Sequence, residues 1–204
     1  VHPQLLMLDE PLGALDYSLR QTLIGELRNI LGRNGLSAIY VTHDQTEAMS
    51  LADRIAILNN GKIIQTDSPE NLYANPVNPW CAAFLGFHNF ISAEQAVPGT
   101  ISFQNFSETV FWNITGIKAP SGKNLTVLLK EGEISADDEA DHGTSLVIKA
   151  KPVQNLYRGD YYEVKIKIAE GCEITYKSKE KLPTDQMLKI VYPPEGIIVY
   201  DENA

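Results

Sequence analysis

The stretch Leu5-Leu6-Met7-Leu8-Asp9-Glu10-Pro11 decides how the rest of the chain is read. Four apolar residues run straight into two adjacent carboxylates. A short apolar run closed by a turn signal is the pattern of a buried parallel strand. Open α/β sheets bind ligands beyond the carboxyl ends of their strands. A carboxylate at such an edge can hold Mg2+ by way of water, and the next one can position or deprotonate an attacking water. Considered alone, the pair is equally well a strand end with two solvated acids.

A second apolar run, Ala38-Ile39-Tyr40-Val41-Thr42, ends in His43-Asp44. Two parallel neighbouring strands would bring Glu10 and His43 to one sheet edge, where a histidine can donate to a phosphate oxygen. The alternative is a histidine that caps a helix or packs in a core. Between the strands, residues 17–31 read as a helix. Leu19, Leu23, Leu27, Ile30 and Leu31 share a face, Asp16 is the cap, and Gly32 and Gly35 are the stop. Asp44-Gln45-Thr46-Glu47 is a capping box for a further short helix, and Gln45 and Glu47 are read as helix-start residues without a chemical role.

Working outward, Asn60-Gly61 between residues 54–59 and 62–66 predicts a hairpin, because a type I′ turn needs positive φ at both central positions. Ser68-Pro69 and Asn78-Pro79 each set a cap followed by proline at the first helical position. After Gly86 the period falls to two: Tyr162, Val164, Ile166 and Ile168 alternate with Glu163, Lys165 and Lys167. Strand-like runs at 100–103, 109–114, 125–130, 145–149, 172–176, 187–192 and 196–200 complete a small sandwich or barrel. Residues 131–143 read as an acidic, exposed loop. The expected division is therefore an α/β part over residues 1–86 and an all-β part over 87–204.

The 204 residues carry a net charge of −9, with acids outnumbering bases in both parts. Such a chain is a poor partner for a nucleic-acid backbone. Stacking of bases on Tyr157, Tyr161, Tyr162 and Tyr176 is the nucleic-acid alternative, and packing in the barrel accounts for the same tyrosines. Cys81 and Cys172 lie far apart and fit neither a zinc site nor a disulfide framework, so free packed thiols are expected. No apolar run approaches the roughly 20 residues that span a bilayer. The sequence opens with no secretory leader, and a cytosolic place is expected.

Taken together, these blocks resemble the C-terminal half of an ATP-binding-cassette ATPase of the importer type. Residues 5–10 resemble its Walker B strand, Ala14-Leu15-Asp16 its D-loop, and His43 its switch histidine. The order of Thr42-His43-Asp44-Gln45-Thr46-Glu47-Ala48-Met49, Ala52-Asp53-Arg54-Ile55 and Asn60-Gly61-Lys62-Ile63 is typical of that family. The resemblance implies a partial P-loop NTPase fold with a parallel sheet, followed by an oligonucleotide-binding-like TOBE barrel. It implies Asp9 as the water-mediated ligand of Mg2+, Glu10 as general base toward the γ-phosphate of ATP, and His43 as a γ-phosphate contact. Asp16 would act across a dimer interface with a second copy. Further implied partners are transmembrane permease subunits and, indirectly, a solute-binding protein, with the subunit peripheral on the inner face of the cell membrane. Phe87-His88 leans away from sugar import, toward iron, polyamine or oxyanion.

The family also needs a Gly-x-x-x-x-Gly-Lys loop followed by Ser or Thr to cradle phosphates, and none occurs; Gly122-Lys123 is a decoy, with Ile117 in place of the first glycine. The glutamine loop and the Leu-Ser-Gly-Gly-Gln signature are missing too. The expectation is a fragment without ATPase activity alone, whose apolar strand edges favour association. The competing reading is a β-rich module that binds an oxyanion or a regulator of transport; calorimetry with molybdate, tungstate, sulfate and phosphate separates the two.

Overall fold

A computed structural model describes residues 4–97, 100–103, 110–113, 124–130, 132–135 and 145–202. Gly122-Lys123 lies outside the described residues, as does the acidic stretch 131–143 apart from 132–135. The chain separates into two compact units, Val1–Val77 and Asn78–Ala204.

In the first unit β1 (Leu5–Asp9) and β2 (Ser37–Val41) pair in parallel, from Leu5 opposite Ser37 to Asp9 opposite Val41. The connecting helix α1 (Tyr17–Asn34) starts where the Asp16 carboxylate accepts from the Leu19 amide. It runs through Gly32 and stops at Gly35, whose φ of 59° is left-handed and costs glycine nothing. Helix α2 (Gln45–Leu51) follows β2 with Asp44 as its cap. Leu12, Ile24 and Leu51 form the core of this layer, with Leu15, Leu23, Leu27, Leu31 and Tyr40 packed against it.

Two expectations change here. The strands are half-buried rather than buried: Met7 is 72% and Ile39 49% exposed, and Leu5 and Val41 are exposed as well. The cause is that β1 and β2 form a two-stranded sheet, so alternate side chains face away from the only layer that covers it among the described residues. On α1, Leu19 and Ile30 face water while Ile24 is buried, because the helix is covered on the side that meets Leu12 and Leu51, a few tens of degrees from the stripe read by periodicity.

Strands β3 (Ile55–Asn59) and β4 (Lys62–Asp67) form the hairpin at Asn60-Gly61, whose φ values of 48° and 74° are both positive. Helix α3 (Pro69–Ala74) follows, capped by Ser68.

The second unit opens with α4 (Pro79–Phe84), capped by Asn78. Its strands are β5 (Phe90–Val97), β6 (Thr100–Phe103), β7 (Val110–Asn113), β8 (Asn124–Leu129), β9 (Glu133–Ser135), β10 (Leu146–Tyr157), β11 (Tyr162–Ala169), β12 (Cys172–Ser178), β13 (Leu188–Tyr192) and β14 (Ile197–Asp201). They form two five-stranded sheets in the orders β12-β11-β10-β13-β9 and β14-β8-β5-β6-β7. Every pairing is antiparallel. The alternating residues of both sheets close on one core: Ile101, Phe103, Leu125 and Val127 from one, Ile148, Val164, Ile166, Ile190 and Tyr192 from the other. The chain as described is thus mostly β-sheet with a few helices.

Side-chain amides fasten the margins of this unit. Asn89 donates to the Thr175 carbonyl and accepts from the Thr175 amide, both at 2.8 Å, as a paired backbone residue would. Asn155 does the same with Leu182, at 3.0 and 2.9 Å. Cys81 is buried and Cys172 half-buried, both as free thiols, and burial raises the pKa of each. Among the described residues no helix is long and apolar enough to cross a membrane.

Candidate functional site

Register explains how the site forms. Asp9 lies opposite Val41, and the next residue, Glu10, hydrogen-bonds its amide to the Val41 carbonyl at 2.9 Å. Glu10 then turns the chain with a φ of 45°, unusual for a non-glycine residue. Two residues beyond Val41 stands His43. Parallel pairing therefore brings the two side chains together, and His43 Nδ1 lies 2.9 Å from Glu10 Oε1. Both are open to solvent. The Glu10 hydrogen bond, and after it the Glu10 charge, raises the His43 pKa above its ordinary 6.5.

Asp9 is exposed at the end of β1. The Asp16 carboxylate does not join the pair; it caps α1. Of the four residues singled out, the fold brings together Glu10 and His43, keeps Asp9 beside them in sequence at the same strand end, and uses Asp16 for the helix start.

Around His43 the sequence reading missed a cluster. Glu47 is 2% exposed, and its Oε2 accepts from Tyr40 Oη and from Thr42 Oγ1, both at 2.8 Å. Arg20 Nε is 3.6 Å from Glu47 Oε1, while Arg20 Nη1 donates to Asp44 at 2.8 Å and Nη2 donates to the Leu15 carbonyl at 2.9 Å. Asp44 accepts from the Thr46 and Glu47 amides. Partial burial works to raise the Asp44 pKa, but the two amides and Arg20 outweigh it and hold the carboxyl below the usual range. Burial, and then the bond to Glu47, pushes the Tyr40 phenol well above its ordinary value. Glu47 is thus no mere helix-start residue. Only half of the expected capping box forms: Asp44 caps, and Glu47 turns inward instead of back to the Asp44 amide. A signal was present, since Tyr40, Thr42 and Glu47 stand where a strand end and the following helix turn meet, but spacing alone did not reveal burial.

Two adjacent carboxylates and a histidine stand at the carboxyl end of a parallel strand pair, the edge where open α/β sheets bind ligands. The chain is homologous over its whole length to the C-terminal part of importer ATP-binding proteins of the ATP-binding-cassette class. Among the relatives is the spermidine/putrescine import ATP-binding protein PotA of Mesomycoplasma hyopneumoniae strain 232, 38% identical over 205 residues, covering 100% of this chain and 44% of that protein. PotA of Clostridium acetobutylicum is 32% identical, with 98% and 55% covered. PotA of Thermotoga maritima is 51% identical over 92 residues, with 45% and 25% covered. Judged by the first two of these, the chain spans about half the length of the curated relatives it matches. No protein-family model matches the chain. A solved structure of the cytoplasmic molybdate-binding protein ModG aligns at a TM-score of 0.41 and 9% identity, covering 56% of this chain and 96% of that one.

Proposed function

We propose that this chain supplies the water-activating part of the nucleotide site in the ATPase subunit of a polyamine importer. The observation that carries the reading is the 2.9 Å contact of Glu10 with His43 at the ends of adjacent parallel strands. Glu10 acts as general base toward the attacking water. Nδ1 of His43 is committed to Glu10, which leaves Nε2 to meet a γ-phosphate oxygen. Nε2 donates there when the ring is protonated, the form that Glu10 favours.

Asp9 would hold Mg2+ through water. The bound cation would neutralise charge developing on the phosphate oxygens. The donor set fits: the hard carboxylate oxygens of Asp9 and Glu10 stand exposed at the strand end. Mg2+ in such enzymes takes one or two carboxylates, with water and phosphate as its remaining ligands. The 204 residues contain no phosphate-binding loop, so the phosphate cradle comes from elsewhere in the whole protein. Asp16 acts across the interface with a second copy. Permease subunits and a solute-binding protein complete the importer, and the subunit sits peripherally on the inner face of the membrane. The β-rich unit is its TOBE-type regulatory barrel. The names of the relatives favour spermidine or putrescine as the solute.

In a subunit of the relatives' full length, Glu10→Gln should cut ATP turnover by a factor of about 100 or more while MgATP still binds; near-normal turnover would sink the reading. The 204-residue chain alone should turn over MgATP negligibly, and turnover that vanishes in Glu10→Gln would contradict this. Loss of labelled spermidine uptake on deleting the gene tests the solute.

A further inference from the structure

We propose that Thr42, itself held by the buried Glu47, is a positioning residue for His43. The Thr42 hydroxyl reaches past His43 to the two residues Asp44 and Glu47. It accepts from the Asp44 amide at 2.9 Å and donates to Glu47 Oε2 at 2.8 Å. A carboxylate oxygen can only accept from a hydroxyl, so Glu47 sets the direction of the chain: Asp44 N–H to Thr42 Oγ1, Thr42 O–H to Glu47. The far side of His43 is pinned as well, because Asp44 receives Arg20 from α1 and the Thr46 and Glu47 amides from α2. Tyr40 ties β2 to the same Glu47 oxygen.

The imidazole itself stands outside this clasp. Its side chain is 77% exposed, and among the described residues it bonds to Glu10. An exposed ring on a loop keeps one orientation only if its backbone is already fixed, since ordering it otherwise costs conformational entropy. The three-element clasp on Thr42 and Asp44 provides that order before any ligand arrives, which is the condition for a well-placed phosphate contact.

The inference rests on the reading of His43 as that contact, but its test does not need nucleotide. With the ring neutral, at about pH 9, the Glu10 carboxylate selects the tautomer with the proton on Nδ1. Nitrogen NMR of the full chain should show that tautomer in the wild type and in Thr42→Ser. It should be lost from at least half of the molecules in Thr42→Val, while the amide spectrum of the second unit stays unchanged. Glu47→Gln, which keeps size and removes the fixed acceptor, should lose it in part. The wild-type tautomer in both Thr42→Val and Glu47→Gln overturns the proposal; so does failure of Thr42→Ser to restore it. If Thr42→Val does not fold, Glu47→Gln against Thr42→Ser decides alone. A full-length subunit whose ATPase is indifferent to His43→Ala would refute the phosphate-contact reading and leave the tautomer result standing, so the two failures are told apart.

Discussion

His43 and Asp44 are neighbours whose ionisation runs in opposite directions. The His43 pKa is raised by Glu10, so the attraction between them is complete below the ordinary value of 6.5 and fades as pH climbs through the higher folded value. A proton NMR titration should place its midpoint above 6.5, and Glu10→Gln should bring it down; an unchanged midpoint in that variant refutes the contact. The Asp44 pKa is lowered, so its capping contribution is present above the ordinary 3.8 and is lost as pH falls through the folded value. Replacing Asp44 by Ala should cost about 1 kcal/mol near neutral pH, with the difference shrinking in acid; urea unfolding at two pH values measures it. Asp44 as a cap was readable from its spacing to Glu47. The inward turn of Glu47 was not, because it depends on Tyr40 and Arg20 arriving from other elements.

At the level of elements, local chemistry announced the turns and caps, and burial did the rest. Asn60-Gly61, Ser68-Pro69 and Asn78-Pro79 each do what a four-residue window predicts, since the decisive forces act within that window. β5 escaped notice because Phe90–Val97 barely alternates, and β9 because Glu133–Ser135 sits inside an acidic run; both are made strands by partners far along the chain. Two such joints can be tested. Asn89→Ala removes both hydrogen bonds to Thr175 and should destabilise the β-rich unit by about 2 kcal/mol. A Cβ on Gly132 would stand 2.8 Å from the buried Tyr192 ring and 3.0 Å from Ile190. Gly132→Ala should therefore cost about 1–3 kcal/mol in thermal or urea unfolding; a wild-type midpoint would refute the close approach.

Over the whole molecule, the charge of −9 and the absence of a basic majority pointed away from nucleic acid, while the apolar β1 and β2 pointed to more sheet than two strands provide. Met7 and Ile39 are register partners and both exposed. The isolated chain should associate with rising concentration in light scattering, and Met7→Lys should suppress that association without changing unfolding of the β-rich unit. A wild-type chain that stays monomeric at all concentrations contradicts this.

β13 joins one sheet of the second unit by lying between β10 and β9, and after the short turn at Pro194–Gly196, β14 joins the other by pairing with β8. Both sheets thus wait for strands that lie late in the order of this unit. Folding of this unit is deferred until β14 has been made, with long-range pairings that slow it further. A nascent chain stalled short of residue 188 should remain protease-sensitive beyond α4, and release of the full chain should restore resistance.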